Sequence, residues 1–161
     1  MAYTRDSVPD LAGRTAVVTG ANGRLGLQTA KVLAARGAHV VMAVRNQTKA
    51  EAAVGRIRAE TAEASLEPVE LDLASQAAVT KAAKQILVGH EVIDILINNA
   101  GLMAMPERTT EDGYEMQFGV NHLGHWTLTA LLMPALLATP QLVLTVPAEE
   151  DADRFWKLGA R

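Results

Sequence analysis

The chain has 161 residues, none of them cysteine, and its 15 Lys and Arg against 18 Asp and Glu give a formal net charge of −3. That length suits one domain with a real core, and a hydrophobic content of 49% argues against a disordered chain. The acidity argues against a nucleic-acid partner, and the lack of cysteine excludes a disulfide or thiolate-metal scaffold, so we expect no metal site. Residues 1–10 hold no apolar signal core and the most apolar stretch, 128–138, is too short to span a bilayer, so we expect a cytoplasmic protein with no membrane partner.

Short β-rich runs alternate with longer helical runs along the chain. Apolar and β-branched runs predict strands at 15–19, 39–44, 69–71, 92–97 and 141–146. Helical spacing predicts helices at 24–36, 48–63, 75–87 and 115–137. This alternation indicates βαβ units, so we expect an α/β fold with a doubly wound parallel sheet and helices on both faces. We expect that domain to occupy residues 1–146, followed by a short polar tail at 147–161.

A glycine-rich turn follows the first strand and opens the first helix. We expect Gly20 to turn the chain off the strand, Gly23 or its neighbour to let backbone approach a pyrophosphate, and Gly26 to let the helix pack close to the sheet. The helix N-terminus would offer free N–H groups and partial positive charge to the phosphates. A plain strand-to-helix turn is the alternative, but the position after the first strand of a βαβ pattern favours a dinucleotide site. The candidate cofactor contacts in this turn are Gly20, Asn22, Gly23, Arg24, Leu25 and Gly26.

The end of the second strand is the position that chooses between NAD and NADP. A carboxylate there would bind the ribose 2′-hydroxyl, but residues 43–46 contain none. Arg45 can clamp a 2′-phosphate through its planar guanidinium, and Arg24 adds a second positive charge nearby. The alternative is that both are solvated surface arginines. The sequence therefore favours NADP over NAD.

Four motifs together resemble the short-chain dehydrogenase/reductase family, in that family's order and spacing. They are TGANGRLG at 19–26, Asp72-Leu73 after the third strand, Asn98 to Gly101 after the fourth, and NHLGHW at 121–126. The stretches 111–126 and 44–46 look most like the retinol-dehydrogenase-like bacterial branch. The resemblance covers about residues 8–146. It implies a Rossmann-like sheet in the order 3-2-1-4-5, with the phosphate site where that order reverses between strands 1 and 4.

The resemblance also implies roles for residues outside the glycine turn. Asp72 would bond the adenine amino group and Leu73 would flank it, while Asn99, Ala100 and Gly101 would line the nicotinamide-side ribose. Asn121 matches the family's active-site asparagine, whose backbone carbonyl holds a water in a proton relay. The alternatives are that Asp72 caps the following helix and that Asn121 bends the long one.

The chain departs from the family pattern in two places. Arg24 stands where shorter-chain members have glycine, so a Cβ lies where backbone must come near phosphate. The family reduces carbonyls with a serine and a Tyr-x-x-x-Lys pair, yet no serine follows Ser75 and neither Tyr3 nor Tyr114 has a lysine four residues later. Residues 151–158 resemble the extreme C-terminus of retinol-dehydrogenase-like members. We therefore expect a cofactor-binding part joined to a C-terminal remnant, shortened relative to the family.

The resemblance thus implies an NADP(H)-dependent oxidoreductase acting on an alcohol or carbonyl, with impaired catalysis. One alternative is a non-catalytic dinucleotide-binding module or remnant. Another is an interaction protein that forms a homo-oligomer or binds a partner through the apolar face of the helix at 115–137. We expect the side chains of that face to lack part of their cover, which would lower stability and promote self-association. They are Leu123, Trp126, Leu128, Leu131, Leu132 and Leu136.

Overall fold

The computed structural model describes residues 7–145, so the tail predicted at 147–161 lies outside the described residues. Five strands form one sheet in the order β3-β2-β1-β4-β5, and every neighbouring pair is parallel. This is the doubly wound, Rossmann-like α/β fold predicted from the sequence. The strands are β1 (Thr15–Thr19), β2 (His39–Val44), β3 (Leu66–Glu70), β4 (Ile95–Ile97) and β5 (Val143–Thr145).

Helices cover both faces of the sheet. They are α1 (Arg24–Ala35), α2 (Gln47–Glu60), α3 (Gln76–Gly89), the single turn α4 (Met116–Phe118) and α5 (His125–Leu137), with a π-helical turn (Gly119–Gly124) between the last two. Side chains alternate across β1, so that Val17 faces the core formed with α3 and α5 while Val18 faces the core formed with α1 and α2. Both faces are buried, which accounts for the nearly continuous apolar runs in the central strands.

Asp94 fixes the amino end of β4 against its neighbours. Its carboxylate accepts hydrogen bonds from the Thr15 N–H (2.9 Å), the Arg14 guanidinium (2.6 Å) and the Thr139 hydroxyl (2.8 Å). Burial by itself would raise the pKa of Asp94, but these three donors outweigh it and hold the pKa below its usual value. The carboxylate thereby joins β1 to β4 and to the segment that leads into β5.

Three strands differ from their predicted bounds, and the fifth, predicted at 141–146, spans Val143–Thr145. The third strand is predicted at 69–71 but spans Leu66–Glu70, because Pro68 and Glu67 are tolerated in an edge strand although they disfavour a central one. The fourth is predicted at 92–97 but spans only Ile95–Ile97, although the backbone N–H of Asp94 still donates to the Thr15 carbonyl at 2.9 Å.

The helix predicted at 115–137 is present from Met116 to Leu137 without a gap, but it is not α-helical throughout. It consists of α4, the π-helical turn and α5, and two glycines in this segment pack too closely for any side chain. A Cβ at Gly119 would overlap Thr110, and one at Gly124 would overlap the backbone carbonyl of Leu73. The widened turn lets the segment keep these close approaches while remaining helical.

The prediction that the apolar face of this segment lacks cover is wrong for half of its members. Leu128, Leu132 and Leu136 are fully buried in the core that α5 shares with α3. Leu123 is partly buried, whereas Trp126 and Leu131 are exposed. Among residues 7–145, no helix is long and apolar enough to cross a membrane.

Candidate functional site

An open cavity of about 840 Å³ lies at the carboxyl ends of the central strands. Its walls come from the glycine-rich turn after β1, the end of β2, the segment after β3 and the loop after β4. The structure brings every predicted cofactor contact into these walls: Gly20, Asn22, Gly23, Arg24, Leu25, Gly26, Arg45, Asp72, Leu73, Asn99, Ala100 and Gly101. The sheet order reverses between β1 and β4 beside this cavity, as is usual for ligand sites in open α/β sheets.

The three glycines of the turn have different structural roles. Gly20 has a φ of +66° and donates its N–H to the Ala43 carbonyl at 2.8 Å, which turns the chain away from β1. A Cβ on Gly26 would overlap the Asn99 side-chain amide and the Gly20 carbonyl, so the predicted close packing of α1 is confirmed. A Cβ on Gly23 would meet no atom within 4 Å, so this position leaves open space at the start of α1.

Arg24 is the first residue of α1 and has a φ of +47°, in the left-handed region that disfavours side chains. Its side chain is exposed and forms part of the cavity wall. The guanidinium therefore adds positive charge beside the helix N-terminus, at a cost in backbone strain.

Two further cationic side chains line the cavity near the end of β2. Arg45 was predicted there, and Lys49 was not. The Asn46 side chain accepts the Lys49 N–H at 2.9 Å and caps α2, which fixes the first turn that carries Lys49. Both cationic side chains are exposed. Asn46 is a typical N-cap residue. The sequence could therefore have placed Lys49, three residues later, in the first turn of α2.

The Thr19 hydroxyl joins the glycine-rich turn to the loop after β4. It accepts the N–H groups of Asn99 (2.8 Å) and Ala100 (2.9 Å). The Asn99 side chain returns a hydrogen bond to the Thr19 carbonyl at 2.9 Å. These bonds fix two predicted cofactor contacts relative to the end of β1.

His125 completes this network and, like Lys49, is not among the site residues predicted from the sequence. Its Nδ1 lies 3.1 Å from the Asn121 carbonyl and its Nε2 lies 2.9 Å from the Thr19 hydroxyl. A carbonyl can only accept, so Nδ1 carries the proton and Nε2 accepts from Thr19. The ring is buried, and burial lowers the pKa of His125, although the bond to Asn121 acts in the opposite direction. The i, i+4 spacing of Asn121 and His125 in a helix was the available signal.

Asn121 and Asp72 also make local contacts, which fit the alternative interpretation of Asn121 but not that of Asp72. The Asn121 side chain bonds both the N–H and the carbonyl of Leu102 at 2.8 Å, and the residue lies in the π-helical turn. Asp72 accepts the Ala74 N–H at 2.9 Å, whereas the side chain that caps α3 is Ser75. Asn121 lies behind the cavity wall formed by Leu102, and Asp72 forms part of the wall itself.

Comparison with known proteins gives a consistent result. A family model described as short chain dehydrogenase matches residues 14–143. Human retinol dehydrogenase 13 is 50% identical over 129 residues, which are 80% of this chain and 39% of that protein. The chain thus spans about two fifths of the length of that relative.

Two solved structures show the same fold. A putative uncharacterized protein from Mycobacterium paratuberculosis superposes with a TM-score of 0.73 at 47% identity, over 84% of this chain and 47% of that one. A putative short chain dehydrogenase from Shigella flexneri, solved in complex with NADP, superposes with a TM-score of 0.71 at 27% identity, over 85% of this chain and 59% of that one.

Proposed function

This chain belongs to the short-chain dehydrogenase/reductase family, and from that premise we propose that it binds NADP(H) as the cofactor part of an oxidoreductase for alcohols or carbonyls. The observation that carries the proposal is the set of three cationic side chains, Arg24, Arg45 and Lys49, in the wall of one cavity beside the N-terminus of α1. A dinucleotide with a 2′-phosphate matches this charge better than one without.

The residues of the cavity fit such a cofactor. The open space at Gly23 and the N–H groups at the start of α1 suit a pyrophosphate, with Arg24 beside it. Arg45 and Lys49 suit the 2′-phosphate, since the end of β2 carries no carboxylate. The complex of the Shigella flexneri relative with NADP supports the same choice.

We assign the remaining cofactor contacts on the family pattern. Asp72 and Leu73 would hold the adenine, and the segment Asn99 to Gly101 would hold the ribose on the nicotinamide side. When bound, the cofactor supplies or accepts a hydride. The hydrogen bonds of Thr19 to His125 and Asn99 would hold both the loop after β4 and the turn after β1 in place.

A polypeptide of these 161 residues is expected to bind the cofactor without turning over a carbonyl. Its sequence holds no Tyr-x-x-x-Lys pair and no serine after Ser75, so the groups that donate a proton and polarise the substrate in this family have no counterpart in it. Asn121, the matched catalytic residue, has one lone pair of its backbone carbonyl occupied by His125. A non-catalytic binding module is the second candidate function, and the contact of His125 with the Asn121 carbonyl favours it.

Replacing one cavity cation tests the assignment. Arg45→Gln should weaken NADPH binding about tenfold and leave NADH binding nearly unchanged, because only NADPH carries the 2′-phosphate. The matched control is Arg58→Gln, which removes an exposed charge of α2 that does not line the cavity. Fluorescence titration with each nucleotide gives the affinities.

If Arg45→Gln weakens NADPH and NADH binding equally, the 2′-phosphate assignment is contradicted. It is also contradicted if Arg45→Gln and Arg58→Gln have equal effects.

NADPH consumption with a panel of aldehydes distinguishes the two candidate functions. Turnover would support the enzyme, and binding without turnover would support the module.

A further inference from the structure

We propose that His39, Glu67 and His90 form a binding site for a divalent transition-metal ion, with Zn²⁺ as the best match. The three donor atoms lie within 4.8 Å of one another. The site lies at the amino ends of β2 and β3, at the opposite end of the sheet from the dinucleotide cavity. It does not depend on the proposed function of that cavity.

The register of the sheet brings two of these ligands together. Val41 of β2 pairs with Glu67 of β3, and His39 lies two residues before Val41, so His39 and Glu67 share one face of the sheet. Val41 belongs to the core that α3 covers, so this is the face against which α3 packs. His90 is the C-cap of α3, which places it over the same corner.

The donor atoms are already close to the spacing that a metal ion requires. The Glu67 Oε2 lies 2.9 Å from the His90 Nε2 and 3.3 Å from the His39 Nε2. Bonds of about 2.0–2.1 Å in a tetrahedral site separate neighbouring ligand atoms by roughly 3.3 Å. Small side-chain shifts would therefore admit the ion. All three residues are only partly exposed and stand on strands or at a helix end, so they are held in place.

Ser65 supplies the second contact that metal-binding histidines usually make. Its hydroxyl lies 2.7 Å from the His39 Nδ1. If Nδ1 donates its proton to this hydroxyl, the lone pair of Nε2 is directed at Glu67 and is available to a cation. Without a cation, the hydroxyl can donate to Nδ1 instead, so that Nε2 donates to Glu67. One serine thus satisfies His39 in both states.

The donor set favours Zn²⁺ over harder cations. Two imidazoles and one carboxylate are a common Zn²⁺ set, whereas Mg²⁺ and Ca²⁺ prefer oxygen ligands alone. A search for closely spaced ligands could not find this set, because Glu67 is 28 residues from His39 and 23 from His90. The expectation of no metal site was based on the lack of cysteine alone.

Titration of the full chain with ZnCl₂ by isothermal calorimetry tests the proposal, with any affinity tag removed. We expect one Zn²⁺ per chain. His39→Gln, Glu67→Gln and His90→Gln should each weaken binding at least about tenfold, and Ser65→Ala should weaken it by about tenfold. His122→Gln is the control, because His122 is exposed and lies outside the cluster.

Thermal unfolding with and without Zn²⁺ provides a second readout. The ion should raise the Tm of the natural chain and of His122→Gln, but not that of Glu67→Gln, which is isosteric and keeps a hydrogen-bonding side chain. If a histidine variant fails to fold in EDTA, the Zn²⁺ binding and the Tm of Glu67→Gln decide whether the proposal holds. The absence of Zn²⁺ binding by the natural chain would overturn the proposal, as would undiminished binding by Glu67→Gln.

Discussion

Arg24 combines two opposing effects at one backbone position. Its φ of +47° places a side chain in a region that glycine occupies at little cost, while its guanidinium adds charge to the wall of the dinucleotide cavity. The family pattern identifies Arg24 as standing where shorter-chain members have glycine. It does not give the φ angle of Arg24, because residue types alone do not show whether a backbone is left-handed. The cavity stays open beside it, so we expect the residue to affect affinity through charge and not through obstruction.

Arg24→Gly should therefore change stability and affinity in opposite directions. Relief of backbone strain should stabilise the fold by about 1 kcal/mol. Loss of the charge should weaken NADPH and NADH alike by a few-fold, because both carry the pyrophosphate that lies beside the helix N-terminus in our assignment. Urea unfolding and fluorescence titration measure the two effects. A variant that is less stable, or that binds more tightly, would contradict this account.

At the scale of elements, His125 connects the glycine-rich turn after β1 to the motif at 121–126, which are separate in the sequence. Its ring bonds the end of β1 through Thr19 and the π-helical turn through Asn121. The motifs themselves were recognisable, and so were the order of the strands and the walls of the cavity. The contacts between them were not, because they join residues about a hundred positions apart in the sequence.

The π-helical turn within the helix predicted at 115–137 was also beyond the sequence pattern. Apolar spacing predicts the helix but not a change in its winding. We relate that change to the close approach of Gly119 and Gly124 to Thr110 and Leu73, which only the packed structure shows. The edge strand β3 was placed three residues late for a similar reason, since its position in the sheet makes Pro68 acceptable.

The buried imidazole predicts a pH dependence of stability. Burial lowers the pKa of His125 in the folded chain. As the pH falls through the ordinary histidine pKa of 6.5, the ring takes up a proton in the unfolded chain but stays neutral in the folded chain. Stability should therefore be full above about pH 6.5 and fall as the pH decreases below it. His125→Gln should cost about 1–3 kcal/mol at pH 7.5 and reduce the loss between pH 7.5 and 5.5 by about 1 kcal/mol.

Urea unfolding at the two pH values, with His122→Gln as the exposed control, measures this difference. The control should keep both the stability and the slope of the natural chain. An unchanged slope in His125→Gln would mean that another group titrates and that the ring is not held neutral.

At the scale of the molecule, we expect the exposed apolar groups of the 115–137 segment to mediate self-association. The exposed fractions of Trp126 and Leu137 are 66% and 71%, while the face toward α3 is buried. We expect a second copy of the chain to cover the exposed groups, because a large aromatic side chain is a frequent centre of such contacts.

Trp126→Gln should shift the chain towards the monomer in sedimentation velocity over a range of concentrations. Val88→Gln is the matched control, since Val88 is an exposed apolar residue on α3. A natural chain that is monomeric at every concentration would contradict the prediction, and so would equal effects of the two variants.

The central claim is that the cavity after β1 binds a nicotinamide dinucleotide and selects the form that carries a 2′-phosphate. Isothermal calorimetry of the 161-residue chain with NADPH and with NADH tests it most directly. The account predicts one site per chain, with NADPH bound more tightly than NADH. Absence of heat with both nucleotides would contradict binding at this cavity, and tighter binding of NADH would contradict the role given to Arg45 and Lys49.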